Sequence, residues 1–273
     1  MPDKTHIIAV VNHKGGTGKT TISGALVSIL GRMGYKVLGI DGCGQMNLTH
    51  SLGFERDKNK SLYAILKDQA IFEECIKKGE DIGKKFDFIV SDSAMASIDL
   101  DLSNRRLDRE RVLYRKMSDY IDYQDPKNNH YDFIIIDTNP TLGMLNINIM
   151  VASDWVLIPL ELSTFGIDGL DHLIDFFNEV RTVHPELKVL GAVINKMDKR
   201  EGISHEAERV VKELFGNIIM KTKIRQDTQI KKAQWEGIPI NLYINTKNQK
   251  RGGRANEDLH DLTKEVIERV KKS

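Results

Sequence analysis

Lys14-Gly15-Gly16-Thr17-Gly18-Lys19-Thr20-Thr21 sets three glycines and two lysines ahead of a pair of hydroxyls. Residue types in this pattern suit anion chemistry. Glycines at 15, 16 and 18 let the backbone come close to a ligand and take up positive φ. Successive N–H groups can then converge on a phosphate, and a helix dipole behind them favours negative charge. Lys19 supplies a point charge for β- and γ-phosphates, and the Thr20 hydroxyl can ligate Mg²⁺. A second signal lies at Tyr131-Asp132-Phe133-Ile134-Ile135-Ile136-Asp137, an apolar run ending in a carboxylate. Beside a phosphate loop, such an aspartate holds Mg²⁺ directly or through water.

Elements must position these groups. Ile7-Ile8-Ala9-Val10-Val11 is a continuous apolar run, as in a strand buried on both faces. After Lys19, apolar residues at 22, 25, 26, 29, 30 and 33 recur at helical steps. Lys36–Asp41, 154–160 and 187–195 read as further buried strands, with a helix over 167–183 between the last two. Strands alternating with helices predict an α/β fold: a doubly wound, mostly parallel sheet with helices on both faces, in a single domain over 1–273. Ligands on such sheets bind at the carboxyl ends of strands, where Asp41, Asp137 and Asn195 fall. Residues 55–130 carry weaker signals: a helix over 61–76, a strand over 86–90, and a charged stretch over 100–117 that reads as a solvated helix face.

With 40% hydrophobic and 29% charged residues, the composition is that of a soluble globular protein. No apolar run reaches the length of a membrane-spanning helix, and the N-terminus has no apolar signal region. Cys43 and Cys75 form no metal-ligand spacing and fit a reducing cytoplasm. A net charge of +1 gives no global drive toward nucleic acid, so any such binding needs a local patch.

The loop departs from the general phosphate-loop pattern: His13 stands where the first glycine belongs, and Lys14 follows it. It resembles the deviant Walker A motif of the ParA/MinD family of P-loop ATPases, most of all its ParA/Soj-like partition members. The resemblance implies ATP and Mg²⁺ as cofactors, with Lys14 reaching across a nucleotide-sandwich homodimer to the partner's phosphates. It implies nucleotide contacts from residues 14–21, a base contact from Asn195, and metal contacts from Thr20, Asp41 and Asp137. The run Asp41-Gly42-Cys43-Gly44-Gln45 departs from the family's D-x-D-P-Q. Cys43 stands where the aspartate associated with activating the attacking water belongs, so weak hydrolysis is expected. Reactive redox chemistry at Cys43, near cationic lysines, is a minor alternative. Asn139 replaces a proline after Asp137.

Lys221, Lys223, Arg225, Lys231 and Lys232 fall in a segment similar to the family's sequence-independent DNA-binding region. Lys247, Lys250, Arg251 and Arg254 form a second basic cluster. The resemblance further implies a ParB-like partner protein, a nucleoid-associated cytoplasmic location, and the short kind of chain without a helix-turn-helix. Three function classes stay open: a DNA-coating partition switch, a MinD-like membrane-associated positioning ATPase, and a metabolic P-loop synthase. The segment 259–270 lacks the basic, bulky-apolar character of a membrane anchor and reads better as a helix packed on the sheet.

Overall fold

The computed structural model describes residues 4–123, 130–161, 170–197, 216–246 and 253–272, together with 209 and 213. The second basic cluster therefore lies outside the described residues, apart from Arg254.

In chain order the strands and α-helices are β1 (His6–Val10), α1 (Lys19–Arg32), β2 (Val37–Gly42), α2 (Asn47–Ser51), α3 (Leu62–Leu66), β3 (Asp87–Ile89), α4 (Ile98–Ser103), α5 (Val112–Tyr123), β4 (Phe133–Thr138), α6 (Met144–Val151), β5 (Trp155–Glu161), α7 (Leu170–Val183), β6 (Lys188–Met197), β7 (Ile219–Arg225), α8 (Thr228–Trp235), α9 (Ile240–Thr246) and α10 (Arg254–Lys271). The strands form one sheet in the order β3-β2-β4-β1-β5-β6-β7, and every neighbouring pair is parallel. The chain lays β2 and β3 on one side, returns at β4, then crosses β1 to lay β5, β6 and β7 on the other. The switch in winding falls at β1, and the glycine loop is its carboxyl-end connection.

Apolar side chains alternate between two clusters, one on each face of the sheet. On one face, Leu62, Ile98, Leu113, Leu145 and Leu173 cover Leu38, Ile40, Ile134 and Ile136. On the other, α1 carries Ile22, Leu26, Ile29 and Leu30, and α10 carries Leu259, Leu262, Val266 and Val270. The α10 side chains are at most 5% exposed. Burying each stabilises by about 1.5–3 kcal/mol, so the apolar face of this terminal helix is spent inside the protein. Among the described residues no helix is long and apolar enough to cross a membrane.

The edge strand β7 is closed off by acids from α10. Glu265 accepts from the backbone N–H groups of Lys221 (2.8 Å) and Thr222 (2.9 Å), and Asp258 accepts from that of Arg225 (2.9 Å). Capping these donors blunts an edge that would otherwise recruit another strand.

Two expectations for 55–130 need correction. The helix expected over 61–76 ends at Leu66, because Asp68 takes a left-handed φ of 58° and turns the chain. The charged stretch over 100–117 is not one solvated helix. It divides into α4 and α5 around Asp108, at φ 49°, and Arg105 and Arg111 reach back to the carbonyls of Leu66 and Val183.

Candidate functional site

The parallel register gathers the carboxyl ends of the central strands. Asp137 on β4 lies opposite Val10 on β1 and Asp41 on β2, and Glu161 on β5 lies opposite Asn195 on β6. A cleft of about 550 Å³ opens over this edge, lined among others by Gly16, Lys19, Thr20, Cys43, Asn195 and Lys196. Its volume suits a small-molecule ligand.

Helix α1 begins at Lys19, directly after Gly18, whose φ of 99° is the left-handed conformation glycine permits. A side chain at Gly18 would also collide with the Asn195 amide, so glycine is required there twice over. Asn12, 2% exposed, anchors the loop's start: its amide donates to the Pro159 carbonyl (2.7 Å) and its oxygen accepts from Lys14 N–H (2.9 Å). The Lys19 ammonium donates to the Lys14 carbonyl (3.0 Å), folded over the loop it would serve. Burial lowers the Lys19 pKa, against the pull of Asp137 and Cys43. The Lys14 ammonium has no hydrogen bond or ion pair among the described residues.

Asp137 is fully buried and faces α1. Its two oxygens accept from the Thr20 hydroxyl (2.7 Å) and the Ser23 hydroxyl (3.0 Å). Burial and the neighbouring Asp41 push its carboxyl up to about 7, against those hydrogen bonds and the Lys19 charge. A hydroxyl held on a carboxylate beside a phosphate loop is a hard-oxygen pair that suits Mg²⁺. Ser23 was missed in the sequence, although its position one helical turn beyond Thr20 was a usable signal.

Asp41 is placed differently. One oxygen accepts from Cys43 N–H (3.0 Å), and the other from the backbone and hydroxyl of Thr49 (both 2.8 Å). Wholly buried, with its pKa raised by burial against these bonds, it closes the turn into α2 rather than lining the cleft. Cys43 does line the cleft, but burial pushes its thiol up to about 11. It is neutral at pH 7, which corrects the alternative of a reactive thiolate.

Asn195 donates its amide to the Thr17 carbonyl (2.7 Å), so this group braces the loop. Next to it Lys196, unanticipated from sequence, takes a left-handed φ of 55° and pairs with Glu161 (3.1 Å), with its ammonium beside Gly16. Gly15 and Gly16 are exposed at the cleft, and Thr17 is buried beneath them. The Thr21 hydroxyl accepts from Gln234 of α8 (3.0 Å).

The basic residues expected to meet DNA do not form one set. Lys221, Lys231 and Lys232 are exposed, and Lys223 is half-buried. Arg225 is clamped by Asp258 (2.6 Å) and approached by Glu257 (3.6 Å).

Comparison with known proteins matches residues 5–189 to a family model described as an AAA domain. Over 95% of the chain, and 97% of the relative, it is 34% identical to the sporulation initiation inhibitor protein Soj of Bacillus subtilis. The chromosome partitioning protein ParA of Caulobacter vibrioides is 30% identical over 87% of this chain and 86% of its own. The chain belongs to the ParA/Soj family of P-loop ATPases. The fold is shared more widely. A cobyrinic acid a,c-diamide synthase from Mycobacterium smegmatis, solved with an ATP analogue and magnesium, superposes with a TM-score of 0.80 at 22% identity, covering 98% of this chain and 96% of that one. Fold alone therefore does not separate a partition ATPase from a synthase; the sequence relationship to Soj and ParA shows the family.

Proposed function

We propose that this ParA-type chain is an ATP·Mg²⁺-dependent dimerising switch that binds DNA without sequence preference and acts in plasmid or chromosome partition, with weak ATP hydrolysis. The observation that carries the reading is Lys14, a second lysine on the phosphate loop with no ionic partner among the described residues of its own chain. A cation held at the loop's rim suits the phosphates of a nucleotide shared with a second copy.

Residues 14–21 cradle the phosphates, and Lys19 leaves the Lys14 carbonyl to meet them. Bound Mg²⁺, held through Thr20 and Asp137, would neutralise charge at the β- and γ-phosphates. Asp41 acts on this site through the turn that carries Cys43. A neutral thiol at position 43 orients water poorly, which is the basis for weak hydrolysis. Lys221, Lys231 and Lys232 supply exposed charge for DNA phosphates, with Lys223 beside them, and Arg225 joins only by leaving Asp258. Dimerisation doubles these charges and couples ATP state to DNA affinity. A ParB-like partner and association with the nucleoid follow from the same reading. The MinD-like membrane alternative is disfavoured by the buried apolar face of α10.

The test is calorimetric titration of ATP·Mg²⁺ into wild type and Lys19→Ala, followed by DNA binding with and without ATP. Lys19→Ala should abolish ATP binding, and ATP should strengthen DNA binding by the wild type. Unchanged ATP affinity in the variant would remove the site assignment, and ATP-independent DNA affinity would remove the switch.

A further inference from the structure

We propose that Trp235 is a DNA contact, an aromatic that packs on base or sugar surface beside phosphate-binding lysines. The inference rests on the DNA-binding reading above and adds to it a component that is not electrostatic.

Trp235 ends α8 and is 91% exposed, whereas the other tryptophan, Trp155, is 7% exposed. So large an apolar surface left in water, on a helix fixed on its inner side, marks a contact surface. That inner side is well held. Asp227 caps the helix through Gln229 N–H (2.9 Å), Ala233 is buried, and Gln234 donates to Thr21 (3.0 Å). Trp235 is therefore presented outward by the helix face it occupies. Lys231 and Lys232 precede it by four and three residues, which puts them on the same side of the helix. Both are exposed, and neither forms an ion pair among the described residues. The acid nearest in sequence, Glu236, follows the helix.

An aromatic plate flanked by free ammonium groups fits a polyanion with stackable or apolar faces, and DNA has both. A second copy of this chain is a poorer occupant, because two-fold pairing through this face would set four lysines against one another. A lipid surface is poorer too, because among the described residues exposed Lys231 and Lys232, not an apolar stripe, share the Trp235 side of α8. The Gln234–Thr21 hydrogen bond ties the same helix to α1 two residues beyond Lys19, so the plate sits on an element joined to the phosphate loop.

The test separates the aromatic from the charges. Phosphate contacts set the slope of affinity against salt, whereas a packed aromatic shifts affinity equally at every salt. Binding of a labelled duplex is measured by anisotropy over a salt series in ATP, for wild type, Trp235→Ala, Trp235→Phe, and Lys231→Ala with Lys232→Ala. Trp235→Ala should weaken binding by roughly 5- to 100-fold at all salts with the slope unchanged. Trp235→Phe should keep most of the affinity, and the double lysine variant should flatten the slope by up to about two units. DNA should also shield Trp235 fluorescence from iodide quenching. Wild-type affinity in Trp235→Ala overturns the proposal. So does loss of ATP-dependent dimerisation in that variant by light scattering, which would give the residue to a contact between copies. If wild type binds no duplex even at low salt, the DNA reading itself fails, and this proposal with it.

Discussion

The Asn195 amide donates to the Thr17 carbonyl at 2.7 Å, joining the end of β6 to the middle of the phosphate loop. The residue expected to read the nucleotide base is thus engaged in holding the loop, directly above Gly18. Asn195→Ala leaves a buried carbonyl unsatisfied and frees the loop, at about 1–3 kcal/mol. ATP affinity is expected to fall roughly 5- to 100-fold, with the preference for ATP over GTP unchanged. Parallel titrations of both nucleotides check this. A variant that lost preference and kept ATP affinity would return the residue to base recognition.

Lys14 and Lys19 share a loop but have different surroundings. Lys19 is buried and bound to the Lys14 carbonyl, whereas the Lys14 side chain reaches no acid among the described residues. Lys14→Ala should keep much of the ATP binding, within about tenfold, and remain monomeric in light scattering with ATP. Dimerisation equal to wild type would show that this lysine makes no contact across the dimer.

Asp137 makes the nucleotide-free protein sensitive to pH. Its carboxyl, pushed up to about 7 by burial and Asp41, binds a proton more tightly in the folded chain than in the unfolded one, where the value is about 3.9. The stabilisation is full below pH ~4 and is lost as pH rises through about 7. Asp137→Asn removes the buried charge while keeping an oxygen for Thr20 or Ser23. Without nucleotide, this variant should melt higher than wild type at pH 8, at about 2–4 °C for each kcal/mol gained. The gain should shrink toward pH 5, and a gain independent of pH would mean the carboxyl is not the cause.

The same burial explains what the sequence made legible. Strands β1, β2, β4, β5 and β6 are covered on both faces, so each is a plain apolar run, and their ends bring Asp41, Asp137 and Asn195 to one edge. The glycine loop was legible because Gly18 meets two constraints that only glycine satisfies. Region 55–130 was not, since α3 and α4 are only five and six residues long, too short to develop helical periodicity. Asp68 and Asp108 turn the chain at positive φ without the usual glycine. Long-range partners were likewise hidden: nothing near Arg225 in sequence announces Asp258, and nothing near Asp41 singles out Thr49 from other hydroxyls.

Cys43 stands at the position where the family resemblance led us to expect an aspartate. Its backbone N–H holds Asp41, and its side chain lines the cleft with its thiol pushed up to about 11. At neutral pH the group bears no charge with which to draw a proton from water. Asp41 does not substitute for it, because both of its oxygens are committed to Thr49 and to Cys43 N–H. Cys43→Asp places a third carboxylate close to Asp41 and Asp137, and it will lie ionised only with bound Mg²⁺ and the Lys19 charge nearby. With saturating ATP and Mg²⁺, the variant is expected to raise turnover up to about 10²-fold, the low end of general-base effects. Cys43→Ser, which adds no carboxylate, should leave turnover within a few fold of wild type. The wild type should persist as a long-lived ATP-bound dimer, and the Asp variant should dissociate as it hydrolyses. Phosphate release and light scattering, followed together with and without DNA, read both effects. If the native protein releases phosphate as fast as Cys43→Asp, the water is oriented by another group and position 43 lies outside the chemical step.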